Sequence, residues 1–275
     1  MLGHLEAIIH ATDVRKVWEL HQCRMAHYGF DRLLYGYTRF RSRHFLGDPK
    51  DLVVLSNLPS DYLEHYINGG LYRQAPAVQW ATANVGALSW RIIKEHHATG
   101  ALTPEQRQVV EFNHRHGILA GYTISFHDIS LRAKGAIGLI ARPGMTQDDV
   151  EAVWQVHGRE ITLLNDITHM RIATLPVICP DRALTRRQRE VLEWVGEGKT
   201  TQDIATIMGL TVTTVEKHLR LAREILDAGT TAQALLKAVL QNQIYVFSPL
   251  GARPERNGKK PQECRSPLWA VPGSA

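Results

Sequence analysis

The chain has 275 residues, 44% hydrophobic and 21% charged, with a formal charge of +5 from 32 Lys and Arg against 27 Asp and Glu. A chain of this length divides more readily into two cores than one, and the balance is that of a globular protein, not a disordered or fibrous one. No apolar run approaches the ~18 residues of a membrane helix. Residues 1–14 lack the basic-then-apolar order of a signal peptide, and the widely spaced Cys23, Cys179 and Cys264 form neither a disulfide framework nor a metal-ligand spacing. The expectation is a cytoplasmic protein with no membrane, cofactor or metal.

Residues 4–28 read as one helix, with Val14, Val17, His21, Met25 and Tyr28 on one stripe and Gly29 as the stop. Residues 31–40 and 51–56 read as strands joined by a polar loop. Pro59 and Ser60 open a helix through Tyr72, interrupted at Asn68-Gly69-Gly70. Residues 79–83 read as a short turn and 88–92 as a strand. Thr103-Pro104-Glu105-Gln106 joins a capping hydroxyl to a proline in the first helical position, and predicts a helix to His116. Residues 122–126 and 135–141 read as a hairpin, and residues 146–171 as a long helix. The order predicts an α+β domain over residues 1–172, an α/β/α sandwich with an antiparallel sheet between helical layers. Residues 173–183, with two prolines, read as a linker. Residues 248–275, rich in Pro, Gly, Lys and Arg, are expected to be disordered. The alternative is a tail that docks on the first domain through Leu268, Trp269 and Val271.

Residues 184–247 form an all-α pattern. Val191, Leu192 and Val195 share one helical face, and Ile204, Ile207 and Met208 another. Val215, Leu219, Ala222 and Leu226 follow at helical spacing in a third segment. Residues 231–240 are Ala/Leu-rich and helical. Between the second and third segments, Gly209 suits a left-handed stop and Thr211 an N-cap. A short helix, a tight glycine turn and a longer helix make a helix-turn-helix. The outer face of the longer helix carries Thr213, Lys217, Arg220 and Glu224, which supplies donors for base edges and phosphates. By pattern alone, a small helical bundle with a solvated polar face accounts for it equally well.

A resemblance separates the two readings. Leu184, Thr185, Arg187, Gln188, Glu190, Val191 and Leu192 match the opening of the LuxR/FixJ-type DNA-binding domain. Gly198, Lys199 and Thr200, then Asp203, Ile204 and Ala205, and then Thr214, Val215, His218 and Leu219 continue the match. The departures are mild: Asp203 stands where Glu is usual and Thr211 where Ser is common. The resemblance implies that Thr213, Thr214, Lys217 and His218 face DNA, with Arg187, Thr200 and Arg220 nearer phosphates. It also implies a homodimer on a palindromic site of double-stranded DNA, with residues 231–240 as a dimer contact.

The first domain is similar, more loosely, to the autoinducer-binding domain of LuxR-type quorum-sensing receptors, over about residues 10–172. Tyr62, Tyr66, Ala75-Pro76, Trp90, and Gly121 before Thr123-Ile124-Ser125 occupy its motif positions. The resemblance makes Tyr62, Tyr66, Ala75, Trp90, Gly121 and Ser125 the ligand-site candidates. Tyr62 stands where the family has a Trp that donates to the lactone carbonyl, and Ala75 where it has the Asp that accepts the ligand amide. An alanine accepts nothing, and a buried unpaired amide N–H costs ~1–3 kcal/mol. Ala141 falls near a strand position where the family often has Ser or Thr. Three readings follow: a hydrophobic ligand atypical for an acyl-homoserine lactone, an ordinary acyl-homoserine lactone, or a ligand-free scaffold controlled by abundance or a protein partner.

Catalysis finds no support. The sequence has no nucleophile elbow, P-loop or dinucleotide fingerprint. His96-His97 and His114/His116 diverge on a helix, so neither pair makes a metal site. A receiver domain is excluded by the missing acidic cluster and parallel βα repeat. The expectation is a non-enzymatic transcription regulator, an orphan receptor of LuxR type.

Overall fold

The computed structural model describes residues 2–41, 51–127, 130–176 and 183–245. The described residues form two compact units, one ending at Arg171 and the other beginning at Ile172, inside the last turns of a long helix. Residues 177–182 of the expected linker and residues 248–275 of the expected tail lie outside the described residues.

In the first unit the expected single N-terminal helix is two, α1 (Leu2–His10) and α2 (Val14–His27). The break comes from Asp13, whose carboxylate accepts the Lys16 N–H at 2.9 Å and restarts the chain as an N-cap. Strands β1 (Arg32–Thr38), β2 (Val53–Ser56), β3 (Gly86–Ser89), β4 (Gly121–Ser125) and β5 (Lys134–Ile140) form one sheet in the order β2-β1-β5-β4-β3. Every pairing is antiparallel, with Leu34 opposite Gly138 and Gly138 opposite Thr123 at the centre. Helices α2 and α7 (Gln147–Thr174) cover one face. There the Trp18 ring lies 6.3 Å from that of Tyr35, and the Tyr35 hydroxyl meets His169 Nδ1 at 2.9 Å.

The other face carries α3 (Ser60–Leu63), a π turn (Glu64–Asn68), a 3-10 turn (Leu71–Gln74), α4 (Pro76–Ala83), α5 (Arg91–Ala98) and α6 (Pro104–Arg115). Gly70, with φ of +77°, turns the chain between the π and 3-10 segments. The capping box at Thr103 and Gln106 forms as expected. Two readings are corrected. Residues 76–83 form a helix where a short turn was expected at 79–83, and residues 91–98 form α5 where a strand was expected to run on to 92. No residue of α5 is fully buried, and only Ile93 and His97 are half-buried, on its cavity side.

In the second unit α8 (Arg186–Gly196), α9 (Thr201–Met208), α10 (Val212–Ile225) and α11 (Thr231–Leu240) enclose one core that includes Val191, Ile204, Val215, Leu219 and Ala238. Gly209 stops α9 at φ +64°, and the side chain of Thr211 caps α10. Capping boxes at Thr185/Gln188 and Thr200/Asp203 open α8 and α9.

Candidate functional site

The first unit contains a cavity of about 260 Å³ between the sheet and α3–α6. Period-two alternation builds its floor. Leu34 and Gly36 on β1, Ala136 and Gly138 on β5, and Thr123 on β4 all line it. Small side chains at 36, 136 and 138 leave the space. A Cβ on Gly36 would meet no atom within 4 Å. Opposite, Ala75, Ala77 and Ala81 keep the α4 side equally low. The wall is predominantly apolar, as in a site for a hydrophobic ligand.

Four of the expected site residues, Tyr62, Tyr66, Ala75 and Trp90, are in the wall. Tyr62 stacks between Tyr66 and Phe112 at centroid distances of 5.1 and 5.2 Å, and its hydroxyl donates to Asn113 Oδ1 at 2.9 Å. The Trp90 indole N–H donates to Thr123 Oγ1 at 2.8 Å. Both donors are therefore satisfied within the protein. The Tyr66 hydroxyl has no hydrogen-bond partner among the described residues. Burial pushes the pKa of both tyrosines far up, so both keep their protons. Ala75 is 2% exposed and stands at the N-cap of α4, where its methyl group satisfies no backbone N–H.

Gly121, Ser125 and Ala141 are outside the wall. Gly121 positions another residue. A Cβ there would strike the Leu139 carbonyl and approach the Trp90 ring within 3.0 Å, so the indole lies on the strand only because position 121 is glycine. The Ser125 hydroxyl faces the Ala81 and Asn84 carbonyls at 2.8 and 2.7 Å and ties the end of α4 to β4. Ala141 is buried, and its carbonyl accepts from Arg32 at 2.6 Å. Conversely, the sequence reading missed Thr123, Asn113, Lys94, His97, His114 and Lys134, which also line the cavity. The helical pattern of residues 104–116 was a signal for Asn113 and His114, but nothing local marks the others. The histidines diverge as expected within each helix, yet His97 of α5 meets His114 of α6 with ring centroids 5.8 Å apart.

In the second unit Thr213, Lys217 and Arg220 are exposed on α10, and Thr214 and His218 are half-buried beside them. The Lys217 ammonium has no ion-pair partner among the described residues. Arg220 pairs with Glu224 at 2.6 Å and Arg187 with Glu190 at 2.8 Å. Exposed pairs of this kind contribute ~0–1 kcal/mol, so exchanging the carboxylate for a phosphate costs little. The Thr214 and Thr211 hydroxyls share a 2.8 Å hydrogen bond. The Thr200 hydroxyl donates to Asp203 at 2.7 Å, and this bond, with one from the Thr200 backbone, holds the Asp203 carboxyl below its usual range.

An apolar cavity in an α/β/α unit, followed along the chain by a helix-turn-helix, defines a class: transcription regulators that join a sensory domain to a DNA-binding one. Residues 13–172 match the family model "Autoinducer binding domain", and residues 182–238 match "Bacterial regulatory proteins, luxR family". The chain belongs to the LuxR-type family of quorum-sensing transcriptional regulators. It is similar to the transcriptional activator LuxR of Aliivibrio fischeri, 24% identical over 197 residues (70% of this chain, 76% of the relative). It is also similar to AnoR of Acinetobacter nosocomialis, 25% identical over 240 residues (86% and 95%). Among solved structures, SdiA in complex with octanoyl-rac-glycerol matches 87% of this chain and 93% of its own at 18% identity, with a TM-score of 0.47. Among the described residues no group of His, Cys, Asp and Glu gathers to hold a metal, and no helix is long and apolar enough to cross a membrane.

Proposed function

We propose that residues 1–172 bind a hydrophobic small molecule atypical for an acyl-homoserine lactone, and that residues 184–247 bind a palindromic site on double-stranded DNA as part of a homodimer. The chain acts in the cytoplasm as an orphan receptor, and residues 173–183 link its two parts. One observation carries the ligand reading: a cavity of about 260 Å³ with an apolar wall, in which the acceptor position of the family is Ala75. An acyl-homoserine lactone there would bury its amide N–H against a methyl group. On the DNA side, Thr213, Thr214, Lys217 and His218 face the major groove, and Arg187, Thr200 and Arg220 take phosphates. Leu236 and Val239, exposed one helical turn apart on α11, support pairing of two copies through that helix.

A second reading draws on a separate observation. The Tyr62 hydroxyl and the Trp90 N–H are both satisfied by protein atoms, so neither donor needs a ligand. The regulator would then be controlled by its abundance or by a protein partner. Native mass spectrometry of the protein, expressed with and without a long-chain acyl-homoserine lactone and extracted for bound molecules, tests both. A retained host metabolite supports the atypical pocket. A retained lactone overturns the weight placed on Ala75. A ligand-free dimer that still shifts DNA supports the second reading.

A further inference from the structure

Apart from its tyrosines, the ionisable part of the cavity wall is basic. Lys94 and His97 on α5, His114 on α6 and Lys134 at the start of β5 all line it, and no Asp or Glu does among the described residues. These groups stand at two places. Lys134 is 6% exposed, and its ammonium is held by the carbonyls of Asn84 and Phe126 at 3.1 and 3.5 Å. The other three gather where α5 meets α6. Lys94 and His114 are exposed there and His97 is half-buried, its ring edge-on to that of His114.

A lysine ammonium beside two imidazoles that can donate N–H offers an anion one opposite charge and several hydrogen-bond donors. Burial, with the charges of His97 and Lys94, holds the His114 imidazole below its ordinary pKa, while Glu111 acts in the opposite sense. A neutral lactone ring gains nothing from the Lys94 ammonium; a carboxylate pairs with it and accepts charge-assisted hydrogen bonds from all three groups. An anion also requires that no fixed negative charge line the cavity. A carboxylate at position 75 would supply one, and the residue is alanine. Sign and vacancy therefore agree: the feature that disfavours an acyl amide is the one that admits an acid.

Resting on the reading that the cavity holds a ligand, we propose that this ligand is an apolar molecule with an anionic head, a carboxylate. Its tail lies on the floor of Gly36, Ala136 and Gly138, and its head lies at Lys94, His97 and His114.

The test is calorimetric titration of the full chain at pH 7 with decanoate, methyl decanoate and N-decanoyl homoserine lactone, which share a tail and differ in the charge of the head. Three partly exposed partners, each contributing a few-fold at most, make decanoate bind about tenfold tighter than its methyl ester, ~1.4 kcal/mol. The variant Lys94→Gln/His97→Gln/His114→Gln is expected to bring acid and ester to the same affinity. Lys94→Gln alone, at an exposed position, is expected to lose about a third of the preference on a logarithmic scale, which guards against misfolding of the triple variant. An ester or lactone that binds as tightly as the acid overturns the charge assignment and leaves the ligand reading standing. So does a folded triple variant that keeps the preference. Binding by none of the three overturns both.

Discussion

At the scale of single residues, two side chains separate the readings of the two sites. Ala75 occupies a buried N-cap whose backbone N–H groups receive no side-chain acceptor. Ala75→Asp places a carboxylate where it both caps α4 and accepts a ligand amide. If the missing acceptor is what excludes acyl-homoserine lactones, the substitution increases affinity for them by about 5- to 150-fold, the factor that corresponds to ~1–3 kcal/mol for an unpaired amide. A reporter dose–response together with direct titration measures it. A folded variant with no gain shows that the whole wall has been remodelled, with Tyr62 already bonded to Asn113. On α10, Lys217 is the exposed cation without an intramolecular carboxylate among the described residues, unlike Arg220, which is paired with Glu224. Lys217→Ala is expected to weaken operator binding and to lower the slope of log affinity against log salt by about one unit, the signature of one lost phosphate contact. Unchanged affinity and slope in a salt series would remove Lys217 from the interface.

At the scale of elements, the second unit was readable because its helices are delimited by local chemistry. Thr200, Gly209, Thr211 and Thr230 each sit at a helix end where a hydroxyl or a left-handed glycine satisfies the backbone. In the first unit the same held at Thr103–Gln106, while short apolar runs marked β1, β2, β4 and β5 and an apolar stripe marked α7. Helix α5 has no fully buried residue, and its two isoleucines read as strand residues. The polar cavity wall was invisible for a different reason. Lys94 and His97 meet His114 only when α5 and α6 pack over the sheet. The layer on the opposite face yields a pH prediction. His21 of α2 is fully buried; its Nε2–H donates to Asn165 Oδ1 at 2.9 Å, since the Asn165 amide nitrogen already donates to the Ile161 carbonyl. His169 of α7 meets the Tyr35 hydroxyl at 2.9 Å. Burial lowers both imidazoles to about 4. The folded state therefore binds fewer protons than the unfolded chain, whose histidines titrate near ~6.5. Stability is fully present above pH ~6.5, and it falls as the pH drops toward about 4, where the folded imidazoles also protonate. Each histidine contributes on the order of 3 kcal/mol over the whole interval. Urea midpoints of the full chain between pH 7.5 and 4.5 are expected to decrease steadily below ~6.5. A flat profile would mean that both imidazoles titrate in the folded protein as they do in the unfolded chain.

At the scale of the whole molecule, the open matter is whether occupation of the first unit is felt by the second. The cavity can be filled without touching any hydrogen bond that supports the fold. Gly36 lies mid-strand, pairs with Val54 and Ala136, and faces the cavity between Leu34 and its neighbours on β5. A Cβ there meets no atom within 4 Å, so a larger side chain extends into the void and not into packed protein. Gly36→Leu adds apolar volume to the space a tail would occupy, and leucine is compatible with extended backbone. If a ligand shifts the population of a DNA-binding state, it does so only by binding that state more tightly than the other. A variant that cannot bind it then loses the shift. The expected outcome is a folded Gly36→Leu protein that retains no small molecule and whose operator affinity no longer changes when decanoate is added. Gel-shift or anisotropy titrations of both proteins, with and without decanoate, measure the change. Equal operator affinity in the parent and the variant under all four conditions would uncouple the cavity from DNA binding. The regulator's output would then depend on its concentration or on a protein partner.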